Sequence, residues 1–174
     1  MEEPVEEVNK LDAAVRQLRE AILLFFERRD TIAIHTLAAA SHQILADIAS
    51  RCQIGGILKN NPLIRPEKKK DWNDLVNKSQ NFFKHADRDS NAVLEFHPSI
   101  TPFFLLDAVS IFQQLTDDTS QEQRVFLSWF VAKYPDFLVD GPMKDSINNL
   151  LASGLNPDDF SILLALARGN MSGI

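Results

Sequence analysis

The sequence predicts an all-α fold, a helical bundle of about six to seven helices with antiparallel neighbours. Three observations carry that prediction. Apolar residues recur at three- and four-residue steps in segment after segment, the spacing that puts them on one face of a helix. The six glycines and eight prolines fall at the ends of these segments and not inside them. No set of alternating apolar and polar stretches provides the strands of a sheet.

The first helix spans roughly residues 9–28, where Leu11, Val15, Leu18, Ile22 and Phe25 form the apolar stripe. Asp30 is placed to cap a second helix by accepting from the free amides of its first turn. That helix runs to about Arg51 and is expected to bury Ile34, Leu37, Ser41, Ile44, Leu45 and Ile48. Its Ala38-Ala39-Ala40 centre permits close helix approach. Gly55-Gly56, Asn60-Asn61-Pro62 and Pro66 then break the chain.

A third helix starts near Glu67, buries Trp72, Leu75, Val76, Phe82 and Phe83, and ends around Ala86. Residues 87–98 connect it onward, with Val93 to Phe96 able to extend briefly. Thr101-Pro102 opens a fourth helix, with proline in the first turn where its missing amide costs nothing. Ser120 and Gln123 form a capping-box pattern ahead of a fifth. Gly141-Pro142 and Asn156-Pro157 punctuate two more, about 142–153 and 157–168, each followed by a helix-ending glycine, Gly154 and Gly169. Residues 1–174 read as one helical domain, with a core over 9–116 and a helical extension over 120–170.

Composition narrows the class. A hydrophobic share of 45% beside 24% charged residues is globular and argues against disorder. Twelve Phe against one Tyr points to an aromatic core, because Phe brings bulk without a polar handle. Glu2, Glu3, Glu6 and Glu7 give the amino terminus neither the basic region nor the apolar run of a secretory signal. No stretch approaches the ~20 apolar residues that cross a bilayer. With Cys52 as the one cysteine, no internal disulfide forms, and a cytoplasmic location is expected.

The net charge of −6 is unevenly spread. Residues 51–90 carry nine basic side chains against five acidic, while both flanks are acidic. The acidic whole disfavours duplex DNA, whereas the basic middle leaves room for RNA or a nucleotide.

The densest chemistry lies in NFFKHADRD, Asn81 to Asp89. Asn81, Lys84, His85 and Asp87 are the candidate ligand-binding residues. Lys84 can meet a phosphate as a point charge, and His85 can move protons near neutral pH. Read instead as structure, the segment is a turn whose His and Asp tie it to the second helix. Asp87-Arg88-Asp89-Ser90-Asn91 opens like a calcium loop but has Ala92 and Pro98 where glycine and a bidentate Glu are required.

His35 and His42 share one face of the second helix, ~10.5 Å apart along its axis, too far to chelate one small ion together. Buried histidines bonded to neighbouring carbonyls or carboxylates are the structural reading of both. No GxSxG, Walker, GxGxxG or HExxH motif is present. No metal site and no cofactor are expected.

Arg29 and His35, within RRDTIAIH, have the Arg-to-His spacing of a known ribonuclease motif, and Arg28 also falls within it. Together with the paired amphipathic helices and NFFKHAD, they make residues 10–115 resemble the higher eukaryote and prokaryote nucleotide-binding (HEPN) superfamily. The overall pattern also resembles bacterial proteins of unassigned function. The HEPN resemblance implies a small, often dimeric bundle and a metal-independent ribonuclease. Arg29 would then stabilise phosphate, and His35 or His85 would transfer protons. In that family the motif lies late in the bundle, whereas Arg29 and His35 join the first two helices. The expectation is therefore a non-catalytic module that binds a protein partner or its own copy, as a homodimer, with the HEPN-like ribonuclease or nucleotide binder as the alternative.

Overall fold

A computed structural model describes residues 5–59, 64–87, 89–137, 141–152, 154 and 156–170. The fold is all-α, and no strand occurs among the described residues. Its helices are α1 (Lys10–Phe26), α2 (Thr31–Arg51), α3 (Lys69–Lys84), α4 (Thr101–Thr116), α5 (Gln121–Lys133), α6 (Pro142–Ala152) and α7 (Phe160–Ala167). Short 3-10 turns at Pro66–Lys68, Pro98–Ile100 and Pro135–Phe137 punctuate the chain, each opened by a proline. No helix of the described residues is long and apolar enough to cross a membrane.

Local chemistry sets the helix ends. Asn9 Oδ1 accepts from Asp12 N at 2.9 Å to start α1. Arg28 adopts a left-handed φ of 54° and stops it, two residues short of the expected end. Asp30 Oδ1 then accepts from Ile32 N and Ala33 N at 3.0 and 2.9 Å, so α2 begins where the aspartate predicts. Gln123 Oε1 accepts from Ser120 N at 3.1 Å in the expected capping box of α5. Asp158 N donates to Asn156 Oδ1 at 2.9 Å, and this turn delays α7 to Phe160.

The central element is α2, packed against α1 on one side and α4 on the other. Its buried set is Ile34, His35, Ala38, Ala39, Ser41, His42, Leu45, Ala46 and Ala49. Leu37, Ile44 and Ile48, expected in the core, are only half-buried. The reason is that α2 is enclosed by two neighbours, so the small residues face both partners at close range and the bulkier ones sit at the seams. Ser41 Oγ donates to Ala14 O at 2.8 Å across the α1 interface. The alanine-rich centre is consumed inside the bundle.

The helices after residue 120 close the same core. Phe25 and Phe26 of α1 pack with Phe126 and Trp129 of α5 and Phe160 of α7, Phe25 meeting Trp129 at 4.7 Å in a T-shaped pair. Trp129 Nε1 donates to Pro157 O at 3.0 Å, tying α5 to the turn before α7.

The departure is α3. Of its 16 residues only Gln80 is fully buried. Leu75 is 65% exposed, and Trp72, Val76, Phe82 and Phe83 are half-buried. The helix ends at Lys84, because His85 is extended, and Ala86 is exposed. Residues 93–96 form no strand. α3 packs mainly along α2, so one flank of it lacks a helical neighbour.

Truncating Phe126, which is fully buried in the aromatic cluster, to alanine should cost about 3–5 kcal/mol. Urea unfolding measures it. A loss under about 1 kcal/mol would mean the cluster is not continuous core.

Candidate functional site

Two assemblies gather the polar side chains singled out from sequence: a buried seam between α2 and α4, and an open groove beside α3.

The seam is built by the heptad spacing of His35 and His42, which turns both rings toward α4. His35 Nδ1 lies 3.0 Å from Thr101 Oγ1, and its ring sits among Phe83, Phe96 and Phe104 at centroid distances of 5.9, 5.0 and 4.9 Å. Its Nε2 is buried without a partner. Burial pushes the pKa of this imidazole down to about 4, since an aromatic box cannot solvate the charged ring.

One turn pair further, His42 Nε2 donates to Asp107 Oδ2 at 2.7 Å. Asp107 is fully buried and accepts two further bonds, from Ile57 N at 2.6 Å and Leu58 N at 2.8 Å. Burial alone would raise the carboxyl's pKa. The bond to His42, with the charge interaction and the two amides, outweighs it and holds Asp107 below the usual carboxylate range. The loop before α3 thus folds onto the carboxylate. Gly56 makes this approach possible, because a Cβ there would lie 2.8 and 3.0 Å from the two carboxylate oxygens.

The same loop buries Lys59, 6% exposed, whose Nζ donates to Gln43 Oε1, while Gln43 Nε2 donates to Asp47 Oδ1 at 2.8 Å. Burial lowers the Lys59 pKa. Trp72 Nε1 donates to Leu58 O at 2.6 Å, so the loop also holds α3. Sequence reasoning did not single out Asp107 or Lys59, and read Gly56 as a chain break and Thr101 as a helix start without placing either at a site. The available signal was one aspartate inside the apolar run FFLLDAVSIF.

The groove is open and has a volume of ≈ 1120 Å³. Asp74, Lys78, Asn81 and Phe82, one stripe of α3 at steps of three and four, form its helical wall, with His85 just past the helix end. Asp87, Asp89 and the segment Ala92-Val93-Leu94-Glu95 form the other. Val93 is 93% exposed. Of the candidate ligand-binding residues, Asn81, His85 and Asp87 line this groove, and Lys84 does not.

The candidates for ribonuclease chemistry are dispersed. Arg29 is exposed, lies 3.9 Å from Glu27 Oε2, and lines a shallow cavity of ≈ 570 Å³ with Glu27, Asp158 and Phe160. His35 is buried, and His85 is exposed on the α3 groove. Cys52 is exposed at the end of α2. Among the described residues, no three His, Cys, Asp or Glu side chains gather as metal ligands.

Asp107→Ala should cost about 3–5 kcal/mol in urea unfolding, since it strands the buried His42 ring and the buried Leu58 amide. Asp107→Asn should recover part of that. A change below about 1 kcal/mol would exclude the carboxylate as an anchor. His35 sets a separate pH window. Its folded pKa of about 4 lies below the ordinary 6.5, so the unfolded chain takes up the proton first. Stability is full above about pH 6.5 and falls as pH drops toward about 4, by up to about 3 kcal/mol. The urea midpoint should follow that slope, and His35→Phe should flatten it.

No family model, no curated protein and no solved structure matches the chain.

Proposed function

We propose that the chain is a non-catalytic helical docking module that engages a protein through the groove between α3 and the wall of Asp87, Asp89 and Ala92-Val93-Leu94-Glu95. One observation carries this reading: a helix that gives the core a single fully buried residue exposes Leu75, and the wall beside it exposes Val93 almost completely. Surface apolar residues scattered singly are ordinary, but Val93 lines the groove beside the half-buried Phe82 and Leu94, and an apolar strip of that kind along a thinly packed helix supports a contact face. The remaining polar machinery supports the same reading, because His35, His42 and Asp107 spend their hydrogen bonds on holding the bundle together.

A HEPN-like ribonuclease would require Arg29, His35 and His85 to converge on one phosphate. Two observations weigh against it. His35 is enclosed by three phenylalanines, and Arg29 and His85 line different cavities.

Photocrosslinking tests the docking reading. A benzophenone side chain at position 93 should give a discrete protein adduct in cells, and one at the equally solvent-facing position 5 should give none. Identical adduct patterns at both positions would sink it. Purified chain that cleaves RNA, and stops doing so as folded His35→Ala and His85→Ala variants, would replace it with the ribonuclease.

A further inference from the structure

We infer that His35 is the pin of the α3 groove: its neutral ring holds both groove walls on the bundle, and protonation of that ring lets them part. The inference rests on the docking reading above and names how that site is regulated. It starts from where the walls are anchored. Phe82 lines the helical wall and Glu95 the other, and the next residue after each, Phe83 and Phe96, packs its ring on His35. These rings meet His35 at 5.9 and 5.0 Å and each other at 5.1 Å, every pair T-shaped. Phe104 of α4 closes the cage at 4.9 Å. Both walls therefore end on one imidazole.

Little apolar packing besides the cage holds this end of the groove. Among the described residues of 86–97, only Leu94 and Phe96 are not exposed. α3 has a second anchor in its first turn, the bond from Trp72 Nε1 to Leu58 O. The loop behind that anchor rests on Asp107 and His42, without His35. Loss of the cage therefore frees the last turn of α3 and the connection after it, while the first turn stays docked. Segments with few buried apolar contacts are the ones that open without the rest of a fold.

The cage accepts only the neutral ring. His35 is fully buried, with Thr101 Oγ1 as the partner of Nδ1 and no partner for Nε2. An imidazolium carries a proton on both nitrogens, so the charged ring would keep a bare N–H among phenylalanines. Burial is the sole cause of its depressed pKa, so no charge among the described residues offsets that cost. Beside Phe83, Lys84 and His85 are exposed, and beside Phe96, Glu95 and His97 are exposed. Arg29 and Asp30 before α2 are exposed, as are Lys10, Asp12, Arg16, Arg19 and Glu20 of α1. Asp107 of α4 is taken by His42. Opening returns the ring to water and to the ordinary 6.5, above its caged value of about 4, so acid favours the open form. The open population rises about twentyfold from pH 7 to pH 5.

The test is native-state amide exchange of the full chain by NMR, at pH 7 and pH 5, with small additions of urea and with intrinsic rates corrected for pH. The reporters are the amides at the end of α3, His85 N among them, which donates to Asn81 O at 3.1 Å. Their protection should fall about twentyfold at pH 5. It should depend on urea far less than that of the Leu18 and Ile22 amides in the core of α1, because only a segment opens. In His35→Phe, which keeps the cage apolar, the fall should shrink below about threefold. His35→Gln, also without a titrating ring, serves where the phenylalanine variant does not fold. Reporters that match the α1 amides in protection and urea dependence overturn the inference, since the cage then opens only with the whole bundle. A fall that survives in the folded neutral variants overturns it too, since another group then titrates. Exchange needs no partner, so either failure leaves the docking reading to the position-93 crosslink.

Discussion

The Asp107 carboxylate is the constraint on which the rest of this structure depends. A buried anion is costly unless each of its lone pairs finds a donor, and here the donors come from two distant parts of the chain. His42 brings α2 to α4, and the amides of Ile57 and Leu58 bring the loop after α2 to the same point. That loop is short of side-chain bulk where it touches the carboxylate, which is why Gly56 occupies the closest position. Through Leu58 O and Trp72 Nε1 the loop in turn locates α3. One polar cluster therefore sets the register of three helices that apolar packing alone would leave free to slide.

This division of labour explains why the bundle has two kinds of surface. α1, α2, α4, α5 and α7 share an apolar and aromatic core that resembles any globular interior. α3 is held at one end by a hydrogen bond and a loop and packs thinly along its length, so its outer stripe is available for contact. The groove beside it carries side chains of both signs, Asp74, Asp87, Asp89 and Glu95 with Lys78 and His85, and Asp74 is paired with Lys70.

Helix existence, order and several ends were legible in the sequence, since they rest on interactions between near neighbours. Asp30, the Ser120 and Gln123 pair and Thr101-Pro102 each mark a boundary through bonds or φ preferences within three residues. The structural reading of His42, a buried histidine bonded to a carboxylate, was also reachable, because a histidine on an apolar helix face needs a partner. What escaped was the identity of that partner, 65 residues away, and the face that α2 buries, which depends on having two neighbours.

By itself, then, the sequence determined an all-α bundle and the approximate span of its helices. Periodicity and capping are short-range, and short-range rules suffice for those. Only the tertiary structure decided that Asp107 is the buried anchor, that Arg29, His35 and His85 stand apart, and that a groove opens beside α3. Each of those outcomes depends on which side chains face one another across helices, and the direction of a face is set by packing that no local pattern encodes.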